Sequence, residues 1–340
     1  MSFPYLIDIL NQPAALQDTL SALPPADTLA ALAQGLAAGR YRRIVLTGMG
    51  SSYHALQPLA QRLWQQGAGA LLLETSELIH YGVELLSAGT LVIAVSQSGR
   101  SAETVRLLEL LPAGVTLIGI TNTPGSPLAA RADEVVLTQA GAEASVSCKT
   151  YLTALAALSW LGDALLGGEA ELPALQGAPE AMALYLEPWQ AHVAVLKEAF
   201  QGVRQLYLVG RGPSLATVGT GGLIIKESAH FPAEGLSSAS FRHGPFEMVG
   251  SETFVVVFAG PQRTLDLNRR LAADVLQAGG RGALCGPGES EGPFALPAVP
   301  APALPILEML PPQMISLALA EMKGIVPGSF GLGHKVTTVE

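Results

Sequence analysis

The 340-residue sequence predicts an α/β protein made of two tandem doubly wound subdomains, each a mainly parallel sheet flanked by helices. Three observations predict it. Short apolar runs alternate with helix-length segments, glycine or serine clusters follow the runs, and the rhythm restarts about 160 residues downstream.

In chain order, residues 16–23 and 27–38 read as helices separated by Pro24-Pro25, so residues 1–39 precede the first sheet. The runs 44–46, 91–95, 115–120 and 135–137 are continuously apolar, as expected of strands buried on both faces of a parallel sheet. GMGSS, SQSGRSAET and NTPGS follow the first three runs, which gives the strand, turn, helix order of a doubly wound fold. A helix over 149–166 closes the first subdomain, residues 40–166, and 167–180 reads as a Gly/Pro/Ala-rich linker. A long helix over 181–200 opens the second subdomain, residues 181–323, with strands at 206–209, 254–258 and 283–285. YLVGRGPS stands beside VLTGMGSS in phase, which points to internal duplication. The last helix, 312–323, leaves a tail over 324–340.

Composition narrows the function. Apolar residues make up 49% of the chain and charged residues 14%, enough to bury a large core and too apolar for disorder. The long uncharged stretches at 110–130 and 292–307 are interrupted by proline or glycine, so no spanning helix and no membrane partner are expected. The opening MSFPYLIDIL lacks the basic flank and cleavage site of a secretory signal, and a cytoplasmic protein is expected. A net charge of −9, with no long basic run, argues against nucleic acid. Cys148 and Cys285 are far apart, implying neither a disulfide framework nor a zinc site. G-x-G-x-x-G and GK[ST] are both missing, and no cofactor or metal is expected.

Chemistry concentrates in two places. In SQSGRSAET, the residues Ser96, Gln97, Ser98, Ser101 and Thr104 crowd hydroxyl and amide groups where a strand gives way to a helix. Helix capping needs one such residue, and five favour an anion held by backbone donors and the helix dipole. GMGSS alone is weak support, since any parallel α/β protein needs small residues in that turn. Downstream, Glu227 lies in IKESAHF and His243 in FRHGP. A carboxylate and an imidazole can open a sugar ring and move a proton between adjacent carbons. The residues alone equally allow a solvated helix glutamate and a loop histidine.

TGMGSSYHA, SQSGRSAET, TNTPGSPLAARAD, AEASVSCKTY, IKESAHFPAE, FRHGP, LPPQMISLALAEMKG and HKVTTVE occur in the order found in double sugar-isomerase (SIS) domain proteins. The chain resembles the isomerase part of glucosamine-6-phosphate synthase and stand-alone amino-sugar-phosphate deaminases and fructosamine-phosphate deglycases. The resemblance implies that Ser52, Ser96, Gln97, Ser98, Ser101, Val146 and Cys148 bind the sugar phosphate. It also implies that Glu227 shuttles a proton between C1 and C2, and that His243 opens the ring from the neighbouring subunit of a homodimer with composite sites. Lys335 takes the place of the family's tail lysine. Ile224 stands where synthases often carry lysine, and Cys148-Lys149 replaces the usual A-S-T-K wording, which leaves the sugar open.

The sequence starts directly in the SIS region, so the expectation is a protein without a glutaminase, whose carbon-nitrogen chemistry runs toward amine release. The expected function is a phosphosugar isomerase, or a deaminase or deglycase, working through an enediol or enolamine. The alternative is a non-catalytic phosphosugar sensor, which has no need of Glu227, His243 and Lys335 together. The tail, with His334 beside Lys335, Gly331 and Gly333 denying it a regular element, and Val336 and Val339 as apolar anchors, is expected to order over the site. There the Lys335 amine would polarise the open-chain carbonyl or form a Schiff base.

Overall fold

The computed structural model describes residues 3–167, 169–332 and 335–337. Gly333, His334 and Val339, named above for the tail, lie outside these residues. The chain forms two compact units. One comprises Ala14–Glu143 and Cys148–Gln176, joined by Leu332 and residues 335–337. The other comprises residues 3–13, Ala144–Ser147 and Gly177–Gly331.

The first unit holds β1 (Arg43–Gly48), β2 (Ala70–Glu74), β3 (Thr90–Val95), β4 (Thr116–Thr121) and β5 (Glu134–Leu137). They form one sheet in the order β2-β1-β3-β4-β5, all neighbours parallel. The second unit holds β6 (Gln205–Gly210), β7 (Ala233–Ser237), β8 (Thr253–Phe258) and β9 (Arg281–Cys285), also all parallel, in the order β7-β6-β8-β9. The α/β class and the tandem arrangement are therefore as the sequence predicts. Arg43 corresponds to Gln205, Ala70 to Ala233, Thr90 to Thr253 and Thr116 to Arg281 as strand starts, a repeat carried by the topology as well as by the turns.

Each sheet has its own core. Val45, Val92 and Leu117 pack with Leu78, Leu107 and Leu128 in the five-stranded unit. In the four-stranded unit Tyr207, Val209, Val255 and Val257 pack with Phe241, Leu271 and Val275. Full burial of each such side chain favours folding by about 1.5–3 kcal/mol. The helix Leu215–Ala229 lies so close to β7 that a methyl on Gly235 would strike the Val218 carbonyl, and one on Gly222 would stand 2.8 Å from the Gly235 nitrogen. Glycine weakens a helix interior, and here the close approach requires it.

Three local features differ from the sequence expectation. β2 and β7 are half-exposed edge strands absent from the expected set: AEGLS in β7 carries no continuous apolar run, whereas β2 holds the short run ALLL. The single helix expected over 181–200 is two helices, Ala178–Leu186 and Trp189–Ala199. Pro188 separates them, having no N–H to donate into the preceding turn. Lastly, prolines do not break up residues 301–323. They sit at the starts of consecutive helical segments, and Ala301–Lys323 is by length and composition apolar enough to cross a membrane. Its most apolar window is wholly buried inside the protein, as in a core helix.

Candidate functional site

β1 and β3 are neighbours, with Gly48 opposite Val95, so the turns that follow them leave the sheet side by side. Between these strands the chain order reverses direction across the sheet, which is where open α/β sheets bind ligands. A Cβ on Gly48 would stand 3.0 Å from the Val95 carbonyl and from the Tyr53 nitrogen, so glycine lets the helix Gly50–Ala55 start hard against the end of β3. Ser52 is half-buried in the first turn of that helix.

The turn after β3 is pinned from several directions. The Ser96 N–H donates to the Ile120 carbonyl at 3.0 Å, and the Gln97 carbonyl accepts from the Asn122 N–H and from the Thr121 and Thr123 hydroxyls. Gly99 has φ +60°, and a methyl there would strike the Ser126 hydroxyl. The Ser96 hydroxyl accepts from the Gly99 N–H at 3.1 Å, and that of Ser98 from the Arg100 N–H at 3.2 Å. Ser101 and Thr104 share a 2.8 Å hydrogen bond, and Ser101 is the N-cap of the helix Ala102–Leu110 without bonding its N–H groups. The serines thus brace the turn itself. Among the described residues, the N–H groups of Gln97, Ser98 and Ser101 have no acceptor, so three donors remain in the turn that leads into the helix Ala102–Leu110.

AEASVSCKTY divides between the units. Val146 belongs to the four-stranded unit and is 1% exposed, while Cys148 belongs to the five-stranded unit and is 0% exposed. Glu143, to which the sequence reading assigned no role, accepts from the Cys148 N–H at 2.9 Å and from Lys335 Nζ at 2.8 Å. Lys335 therefore stands in the five-stranded unit, 22% exposed at its side chain.

In the four-stranded unit, Glu227 is half-buried in the last turn of Leu215–Ala229, and the adjacent Lys226 is exposed. His243 is exposed at the end of the helix Ser238–Arg242, its N–H donating to the Ser240 carbonyl. The turn after β6 differs from its counterpart after β1. Its Ser214 donates at 2.8 Å to Glu308, a fully buried carboxyl whose second oxygen has no hydrogen-bond partner among the described residues. Burial pushes the Glu308 carboxyl up to about 7, against a smaller downward pull from the Ser214 hydroxyl. The sequence did hold a signal for both missed acids. Glu308 is the only charged residue between Glu291 and Glu321, and Glu143 and Lys149 are the only ones between Glu134 and Asp163. An acid isolated in so apolar a stretch is a buried acid.

Residues 40–162 match the family model of the SIS domain. The chain carries a SIS domain. That domain accounts for the sheet from β1 to β5 and the 96–101 turn. Over 98% of its length the chain is 32% identical to the isomerizing glutamine–fructose-6-phosphate aminotransferase of Pyrococcus horikoshii, and spans 57% of that relative. The C-terminal domain of glucosamine-fructose-6-phosphate aminotransferase from Francisella tularensis superposes with a TM-score of 0.83 at 21% identity, covering 97% of this chain and 99% of that one. A glucosamine-6-phosphate deaminase from Thermotoga maritima gives 0.80 at 18% identity, covering 99% and 100%. The SIS-domain chain thus shares its whole fold with both.

Glu308 gives the SIS-domain chain a pH signature. Its native pKa of about 7 exceeds the ordinary value of 4.5, so its contribution to stability is full below about 4.5 and is lost as pH rises through about 7. Between pH 5.5 and 8 the wild type should lose about 2 kcal/mol of stability relative to Glu308→Gln. Urea unfolding at the two pH values reads the difference. A constant gap would mean that Glu308 is ionised in the folded protein throughout.

Proposed function

We propose that this chain is an enzyme that processes a phosphorylated sugar or amino sugar through an enediol or enolamine. The single observation that carries the reading is the 96–101 turn, with three unused N–H donors leading into a helix on the reversal edge of the sheet. A phosphoryl dianion suits such donors, because the helix dipole and the absent side-chain cap both favour negative charge there. Supporting it, the Pyrococcus relative is named for an isomerizing reaction on fructose 6-phosphate, and the Thermotoga neighbour for deamination of glucosamine 6-phosphate.

In this reading Ser52, Ser96, Gln97, Ser98 and Ser101 hold the phosphate, and the stretch containing Val146 and Cys148 borders the sugar. His243 opens the ring. The Glu227 carboxylate then takes the proton from C2 of the open-chain aldose, leaving an enediol, and returns it to C1 to give the ketose. With an amino group on C2 the same proton transfer passes through an enolamine to an imine at C2, which water hydrolyses to ketose and ammonia. Lys335 polarises the carbonyl. The exposure of His243 supports a homodimer in which each histidine serves the neighbouring subunit.

Three results test the reading. The Ser98 hydroxyl accepts from Arg100 and can still donate to a dianion, so in Ser98→Ala calorimetry should show affinity for a hexose 6-phosphate falling by about 1.5–3 kcal/mol. An unchanged affinity makes the serines plain braces. Second, across a panel of hexose and hexosamine 6-phosphates in deuterated water, the wild type should exchange the C2 proton of at least one. Glu227→Gln should lose that exchange by about 10²–10⁴ while still binding. Binding without exchange in the wild type leaves only a sensor. Third, His243→Ala and Glu227→Ala subunits, each inactive alone, should recover activity when mixed and allowed to exchange. Mixtures as inactive as their parents would remove the shared site.

A further inference from the structure

The Glu143 side chain is completely enclosed, and both of its oxygens are used. Oε1 accepts the N–H groups of Cys148 at 2.9 Å and Thr150 at 3.1 Å. Oε2 accepts the Thr150 hydroxyl at 2.6 Å and the Lys335 amine at 2.8 Å. The first three donors belong to the start of the helix Lys149–Leu165, where orphan N–H groups and the dipole favour a carboxylate. That helix therefore fixes Glu143 without help from Lys335. Lys149, the nearer lysine in sequence, donates to the Ala142 carbonyl.

The fourth contact comes from 192 residues away. Two residues beyond Lys335, the Thr337 carbonyl accepts the N–H of Ala102, the first residue of the helix that follows the serine turn. Residues 335–337 thus meet the rest of the five-stranded unit through one ionic and one backbone contact. The ionic contact is fixed to the helix Lys149–Leu165, and the backbone contact to the helix after the 96–101 turn.

We propose that Glu143 is the positioning residue for Lys335. Its carboxylate, locked by the helix start, sets where the lysine amine stands, so that the amine is in register with a sugar phosphate bound at the serine turn. A charge-assisted contact of this kind is directional and, away from solvent, weakly screened. The proposal rests on the reading in which Lys335 acts on the open-chain carbonyl.

Glu143→Gln tests it, because the amide oxygen still accepts from the helix N–H groups while the amide nitrogen cannot accept from Lys335. A brief pulse of acetic anhydride, followed by peptide mass spectrometry, reports how available each lysine is. In the wild type, Lys335 should be acylated about tenfold more slowly than the exposed Lys226, and in Glu143→Gln that gap should close, with Lys149 unchanged. With the variant folded, as judged by circular dichroism, kcat on the sugar phosphate should fall about tenfold or more while KM stays within about twofold. Glu143→Asp, which keeps the charge, should recover part of the loss. Lys335 as reactive as Lys226 in the wild type overturns the proposal even if Glu143→Gln does not fold. Unchanged acylation or unchanged kcat in the variant overturns it too. Absence of turnover in the wild type overturns the functional reading and the role that rests on it. Intact turnover with unchanged acylation overturns the role alone.

Discussion

The pairing of Gly48 with Val95 governs the geometry of the five-stranded unit. Because β1 and β3 run parallel and end level, the GMGSS and SQSGRS turns emerge at the same edge. Glycine at 48 lets one helix begin against the carbonyl of the neighbouring strand, and glycine at 99 keeps the next turn clear of Ser126. The hydrogen bonds from Asn122, Thr121 and Thr123 to the Gln97 carbonyl extend the bracing to β4, so three consecutive strands hold one turn. A rigid turn with unused N–H groups is preorganised for an anion, and little ordering cost is left for binding.

Two buried acids show opposite solutions to one problem. Burying a carboxylate is costly unless donors surround it. Glu143 has four donors, three of them from a helix start, and it stands as the partner of a lysine. Among the described residues Glu308 has one, the Ser214 hydroxyl, and burial raises its pKa toward neutrality. The same influence acts on its neighbours. Cys285 is raised well above its ordinary value by burial and then by Glu308, and Tyr185 by burial and then by Cys285. A fully buried carboxyl, thiol and phenol near one another favour their neutral forms together.

How much of this was legible in the sequence depended on whether the signal was local. β1, β3, β4, β6 and β8 announce themselves as apolar runs because they are buried on both faces. β7 does not, since an edge strand such as AEGLS needs no continuous apolar run, whereas β2 holds the legible run ALLL. Pro188 is visible in the sequence, but the apolar pattern on either side of it reads as one helix. The serine turn was legible as a cluster, yet not that its hydroxyls serve the turn while its N–H groups stay available. Pairings such as Glu143 with Lys335, or Ser214 with Glu308, join residues 192 and 94 positions apart. Only the isolation of each acid in an apolar stretch hints that it is buried. Nothing in the local sequence says what it meets.

The duplication therefore preserved a topology and divided its chemistry. The order β2-β1-β3-β4 recurs as β7-β6-β8-β9, and both first turns begin with a glycine that lies against the next helix. In the first copy the turn after β3 is rich in hydroxyls and leaves donors unused. Its counterpart after β8, residues 259–264, reads AGPQRT, with the single hydroxyl of Thr264 and with proline removing a donor. The serine in the turn after β6 is already engaged by an internal carboxyl. A phosphate arriving at the second edge would meet an acid where the first edge offers N–H groups. In the proposed reading the phosphate binds at the first edge, and the second copy is left to supply other groups. The half-buried Glu227, late on a helix whose glycines bring it tight against β7, is a side chain of that kind.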